Sequence, residues 1–167
     1  MSEKNTGATL QHLAAELGGY LLERNWQVST AESCTGGGVA SAITAIAGSS
    51  QWFETGFVTY ANSAKTRLLG VTKASLAQEG AVSRTVVEQM ALGAKAASGA
   101  DLAVAVSGIA GPDGGTADKP VGTVWFAWAD ASGTVVSECY VYQGDRAQVR
   151  HQACVTALRE LVRLASV

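Results

Sequence analysis

Leu10, Leu13, Ala14, Leu17 and Leu21 recur at three- and four-residue spacing, which predicts an amphipathic helix from Thr9 to about Asn25. Residues 1–8 precede that periodicity and read as a flexible lead-in. Gln27 to Thr30 reads as a short strand, closed by a turn from Glu32 to Gly38, and Val39 to Ile46 as a helix rich in small residues. Gly48, Ser49 and Ser50 break that helix, and the aromatic and β-branched run from Phe53 to Tyr60 predicts a strand. Asn62 to Leu69 forms a short helix stopped at Gly70, and Ser83 caps a helix carrying Val86, Val87, Met90, Leu92 and Ala97. The continuous apolar run from Leu102 to Ser107 is the clearest buried strand, and it ends in a glycine-rich loop from Gly108 to Lys119. Val121 to Asp130 and Thr134 to Tyr142 read as a hairpin turning at Ser132 and Gly133. Asp145 with Gln148 has the capping-box pattern, opening a last helix with Val149, Ala153, Leu158, Leu161 and Val162 on its apolar face.

Strands alternating with helices, followed by one hairpin, place the chain in the α/β class: a mixed, mostly parallel sheet covered by helices on both faces. No repeat or linker divides the sequence, so residues 9–167 are expected to form one domain.

Composition narrows the function. The net charge is −2 and no Lys/Arg cluster occurs, so the electrostatic footprint of a nucleic-acid-binding protein is missing. Only 16% of residues are charged while Ala and Gly abound, a balance that suits close packing and self-association, with a homodimer the expected form. Cys34, Cys139 and Cys154 are odd in number and lack a Cys-x-x-Cys spacing, which points to a reducing compartment rather than a disulfide framework. With no signal-peptide pattern and no apolar run near the ~20 residues of a membrane span, the chain is expected to be soluble and cytoplasmic.

In such folds ligands sit beyond the carboxyl ends of the strands. Ser33 occupies that position, between a strand and a helix, with glycines at 36, 37 and 38. Backbone N–H groups there can hold a phosphate or the oxyanion of a tetrahedral intermediate, while the plainer reading makes Ser33 or Thr35 a helix cap. A serine nucleophile needs a base. His12 and His151 lie on the first and last helices, both expected on surfaces. Lys65 is the better candidate if burial lowers its pKa, and Tyr60, five residues earlier, can relay a proton or orient it. Cys34 adjoins Ser33 and is an alternative nucleophile, because a helix N-terminus lowers a thiol pKa. No metal-ligand spacing is present, so no metal is expected. Arg146 can bind an anion, and Asn62 can bind substrate or cap its helix. The tryptophans, Trp26, Trp52, Trp125 and Trp128, have no regular spacing and suit the core or, where exposed, a dimer interface.

Several blocks together go further. Ala31 to Gly37 (AESCTGG), Gly48 to Ser50, Phe57 to Asn62 (FVTYAN) with Lys65, Gly80 to Ser83 (GAVS), Ser107 to Gly115 (SGIAGPDGG) and Lys119 to Thr123 (KPVGT) resemble the signature blocks of the CinA C-terminal domain family, in order and spacing. This family also occurs alone as nicotinamide-nucleotide amidohydrolase, and the stand-alone form is the one resembled from about Leu10 onward. The resemblance implies a three-layer α/β/α domain that hydrolyses nicotinamide mononucleotide to nicotinic acid mononucleotide and ammonia, a step in pyridine-nucleotide recycling. It implies Ser33 as nucleophile with Lys65 and Tyr60, and no cofactor. Substrate-binding positions expected on this basis are Thr35, Gly36, Gly37, Asn62, Gly108, Ile109, Ala110, Gly111 and Arg146. Two other functions stay open at this level: a noncatalytic nucleotide-binding module, and an amidase using Cys34.

Overall fold

The computed structural model describes residues 3–167, with side chains from Thr9 onward. In chain order the elements are α1 (Glu3–Arg24), β1 (Val28–Glu32), α2 (Gly38–Thr44), a single 3-10 turn (Ser49–Gln51), β2 (Phe57–Val58), α3 (Asn62–Leu69), α4 (Lys73–Glu79), α5 (Arg84–Ser98), β3 (Leu102–Gly108), β4 (Thr123–Ala129), β5 (Val135–Val141) and α6 (Arg146–Ser166). The expected lead-in lies partly outside the described residues, and the first helix starts at Glu3 instead of Thr9.

One five-stranded sheet in the order β2-β1-β3-β4-β5 forms the middle layer. β1 pairs in parallel with β2 and β3, whereas β3–β4 and β4–β5 are antiparallel. The sheet is therefore mixed as expected but not mostly parallel. The reason lies in the β3–β4 connection: it carries no helix, and parallel neighbours need a crossover of about a dozen residues, usually helical.

Alternation along the strands builds two cores. Val104, Val106, Phe126 and Trp128 face the layer of α1, α2 and α6, where they meet Leu17, Leu21, Ile43 and Leu158. The opposite face is paved with Ala31, Ala103, Ala105, Ala127 and Ala129, which pack against Val86, Val87 and Met90 of α5. Such small side chains let α5 settle closely onto the sheet. Ser83 accepts from the Val86 amide as the N-cap of α5, and the Asp145–Gln148 capping box opens α6 as its spacing predicts.

Two elements differ from what the sequence leads one to expect. The strand foreseen from Phe53 to Tyr60 forms only over Phe57–Val58, with an isolated bridge from Phe53 to Val28. α4 was not foreseen, because KASLAQE has too few apolar positions to show a period. Trp52 and Trp128 are buried in the core, and Trp26 and Trp125 are half-buried under the guanidinium groups of Arg24 and Arg84.

Candidate active site

β1 has β2 on one side and β3 on the other, so the chain leaves β1 in one direction and returns in the other. This is a topological switch point, where a crevice opens beyond the carboxyl ends of the strands. Ser33 stands there. Its amide donates to Val106 O at 3.0 Å, while the Thr59 amide donates to Glu32 O at 2.9 Å. The register Glu32↔Val58 and Glu32↔Val106, continued by one residue, places Thr59 and Ser107 on either side of Ser33. All three hydroxyl residues are buried.

Lys65 reaches this row from α3. Its side chain is 1% exposed, and Nζ lies 3.0 Å from Ser33 Oγ, 2.8 Å from Thr59 O and 3.2 Å from Tyr60 O. The two carbonyls can only accept. A neutral amine has two N–H bonds and one lone pair, so the carbonyls take the N–H bonds and the lone pair is left for the Ser33 hydroxyl. Burial pushes the lysine below its ordinary pKa and so favours that neutral form, against a smaller opposing influence of Cys34. The helix carrying it is fixed from behind: a Cβ on Gly93 of α5 would lie 1.9 Å from Leu69 O, an approach only glycine permits.

The turn after Ser33 uses left-handed backbone at Gly36 and Gly37, with φ of 58° and 100°. Glu32 is fully buried behind it. Its carboxylate accepts from Thr35 Oγ1 at 2.7 Å and from the Val39 and Ala40 amides at 2.8 and 3.0 Å. Glu32 thus caps α2 from outside the helix and occupies two amides that a phosphate would otherwise take. Thr35 turns its side chain inward to this carboxylate.

Cys34 points the other way from Ser33, into the core shared with α6. Burial pushes its thiol up to about 11, overriding the lowering expected of a helix N-terminus. His12 is exposed beside Glu16, and His151 is half-buried on α6; neither bonds to Ser33.

The remaining expected positions divide in two. Arg146 Nη1 donates to Gly111 O at 2.8 Å and Nη2 to Tyr60 Oη at 3.3 Å, which gathers the glycine-rich loop, Tyr60 and Arg146 at one rim. Tyr60 meets Lys65 through its main-chain carbonyl, and its ring is 63% exposed. Gly108 ends β3, the Ile109 amide is bound to Thr123 O, and Ala110 is buried in the core. Asn62 is exposed at the start of α3, where Ala61 is the N-cap and no side chain caps the helix. It opens onto a groove of about 500 Å³ between α3 and α4, together with Arg67 and Lys73.

Glu32, Thr59, Ser107 and Arg150 were not singled out from the sequence. Arg150 Nε donates to Cys34 O at 3.0 Å and Nη2 to Thr35 O at 3.2 Å. A signal for it existed: Arg146 and Arg150 are four apart and share a helix face.

Comparison with known proteins shows the family and the fold. The family described as the CinA C-terminal domain matches residues 10–165. A protein of Enterobacter agglomerans named nicotinamide-nucleotide amidohydrolase PncC is 56% identical over 167 residues, covering 98% of this chain and 99% of the relative. The protein of the same name from Escherichia coli K12 is 55% identical over 156 residues, covering 93% and 94%. Among solved structures, the competence/damage-inducible protein CihA of Agrobacterium tumefaciens superposes with a TM-score of 0.92 at 46% identity, covering 93% of this chain and 95% of that one.

Proposed function

Since the chain belongs to the CinA C-terminal domain family, we propose that it is a nicotinamide-nucleotide amidohydrolase, converting nicotinamide mononucleotide and water to nicotinic acid mononucleotide and ammonia. The observation that carries this reading is the placement of Lys65 Nζ 3.0 Å from Ser33 Oγ, with both other directions around the nitrogen closed by carbonyls.

Lys65 takes the Ser33 proton as Oγ attacks the carboxamide carbon, which the cationic pyridinium ring makes electrophilic. The oxyanion is met by main-chain N–H groups of the turn, each such donor being worth roughly 3–4 kcal/mol in the transition state. Protonated Lys65 then gives its proton to the departing amine, ammonia leaves, and an ester on Ser33 remains. Water attacks that ester with Lys65 again as base, releasing the carboxylate and restoring the serine. The two carbonyls on Lys65 hold the amine in place throughout.

Arg146 is the charge best placed for the ligand's phosphate, since it is exposed at the rim with Tyr60 and Gly111. Tyr60 shapes that rim with its ring and orients Lys65 with its carbonyl. The reading carries a cytoplasmic setting, supported by three cysteines that are all free thiols, and a homodimer, supported by exposed Val136, Tyr140 and Val141 on the outer strand β5.

Purified wild type incubated with nicotinamide mononucleotide is expected to release ammonia and nicotinic acid mononucleotide in equal amounts. Binding without release would make the chain a noncatalytic nucleotide-binding module and overturn the proposal.

A further inference from the structure

Arg150 is half-buried on α6, one turn beyond Arg146, and its guanidinium is spent on two consecutive carbonyls of the nucleophile turn, Cys34 O and Thr35 O. A trans peptide is planar, with N–H directed opposite to C=O. Drawing the Cys34 carbonyl toward α6 therefore turns the Thr35 N–H to the opposite side of the sheet end. That is the side of Ser33, which follows Ala31 in the α5-facing row and contacts Lys65 of α3. One plane earlier, Ser33 O accepts from the Gly36 amide at 3.0 Å, so the Cys34 N–H points out of the turn instead of closing it. One plane later, Thr35 O accepts both from Arg150 and from the Gly38 amide at 2.9 Å. The first amides of α2 are already bound to Glu32. Of the turn's amides, those of Cys34, Thr35 and Gly37 take no part in these bonds, and the first two directly follow the nucleophile, where a reacting carbonyl would lie.

We propose that Arg150 is a positioning residue for the oxyanion hole: by clamping the carbonyls of Cys34 and Thr35 it presents the Cys34 and Thr35 amides to the carboxamide oxygen of a substrate attacked by Ser33. The inference rests on the reading of the chain as a Ser33 amidohydrolase. Arginine suits the task because its planar fork spans two acceptors at once and keeps its charge at every working pH. The positive charge on the far side of the Cys34–Thr35 peptide also polarises the N–H at its other end, so the donor is stronger when the oxyanion forms. Arg150 contacts the reacting atoms only through this peptide, and that separates its effect from a substrate contact.

The test is steady-state kinetics on nicotinamide mononucleotide for wild type, Arg150→Met, Arg150→Lys and Ser33→Ala. Arg150→Met keeps the apolar stem but frees both carbonyls, and kcat is expected to fall ~10²-fold with KM close to wild type. Arg150→Lys, which can hold one carbonyl but not both, should fall between the two. Added ethylguanidinium should restore part of the Arg150→Met rate and none of the Ser33→Ala rate. An unchanged kcat in either Arg150 variant, or a raised KM with kcat intact, overturns the inference; the second result would make Arg150 a direct ligand of the substrate. If Arg150→Met does not fold, as read by circular dichroism, Arg150→Lys decides on the same criteria. Wild type that releases no ammonia overturns the underlying reading, whereas active wild type with indifferent Arg150 variants overturns this inference alone.

Discussion

A lysine within hydrogen-bonding range of three oxygens would ordinarily be an ammonium donating to all of them. At Lys65 burial works against that charge, and Ser33 is the one neighbour among the three that can also donate. The neutral amine and the serine proton therefore fit each other. The consequence for activity has a definite sign: the amine is competent above its own pKa, which burial lowers from the ordinary 10.5, so kcat should rise with pH along a limb centred below pH 10.5. Stability follows from the same displacement. Between the folded and unfolded pKa the unfolded chain binds more protons, so stability rises with pH through that window. Lys65→Met removes the burial penalty, so chemical denaturation should find the variant more stable than wild type below the window, with the difference shrinking as pH approaches 10.5. The adjacent thiol behaves differently. Cys34 faces the core with its pKa near 11, so Cys34→Ala should keep turnover close to wild type while Ser33→Ala abolishes it; the reverse pattern in an ammonia assay would transfer the nucleophile to Cys34. Adjacency made the two residues equivalent in the sequence. The alternation of the strand end is what separates them.

The active groups are delivered by element packing more than by local sequence. Lys65 sits mid-helix in α3, and that helix is held at the correct depth by the contact of Leu69 O with Gly93 on α5. Gly93→Ala puts a methyl group into a backbone oxygen. The expected cost is ~1–3 kcal/mol of stability from overpacking, with a fall in kcat larger than the change in KM as Lys65 is displaced from Ser33. Thermal denaturation and kinetics on the same preparation check both parts. Helices with strong end signals were legible: Asn62–Leu69, the Ser83 cap and the Asp145–Gln148 box all fall where the sequence places them. β2 was overestimated because aromatic and β-branched residues describe a strand-like chain but not whether it reaches the sheet; it is in register for two residues only. Glu32 escaped notice because a carboxylate in a strand gives no periodic signal. Its importance exists only once α2 has folded back to present two amides to it.

At the scale of the whole molecule, alternation of strands and helices revealed a sheet covered on both faces, and the family's blocks located the crevice end of that sheet. The direction of β4 is not legible in the sequence, since the glycine-rich loop from Gly108 to Lys119 signals a ligand loop, while what makes the next strand antiparallel is the lack of a crossover helix. Arg150 was missed for a related reason: it acts across 115 residues of sequence on Thr35, and only tertiary structure joins the last helix to the first strand's turn. The site thus spans both ends of the chain, so ligand binding should stabilise the fold globally. Saturating inactive Ser33→Ala with nicotinamide mononucleotide at 100 times its Kd should add ~2.7 kcal/mol. For a chain of this size that corresponds to a rise of ~5–10 °C in Tm. No shift at any attainable concentration would mean the crevice does not take this ligand. The central claim, a neutral Lys65 poised on Ser33, is tested most directly by an NMR titration of the lysine side-chain ¹³Cε signals, with Lys65 assigned by comparison with Lys65→Met. The account expects Lys65 to titrate below the ordinary lysine value of 10.5; a Lys65 signal titrating at or above that value would contradict it.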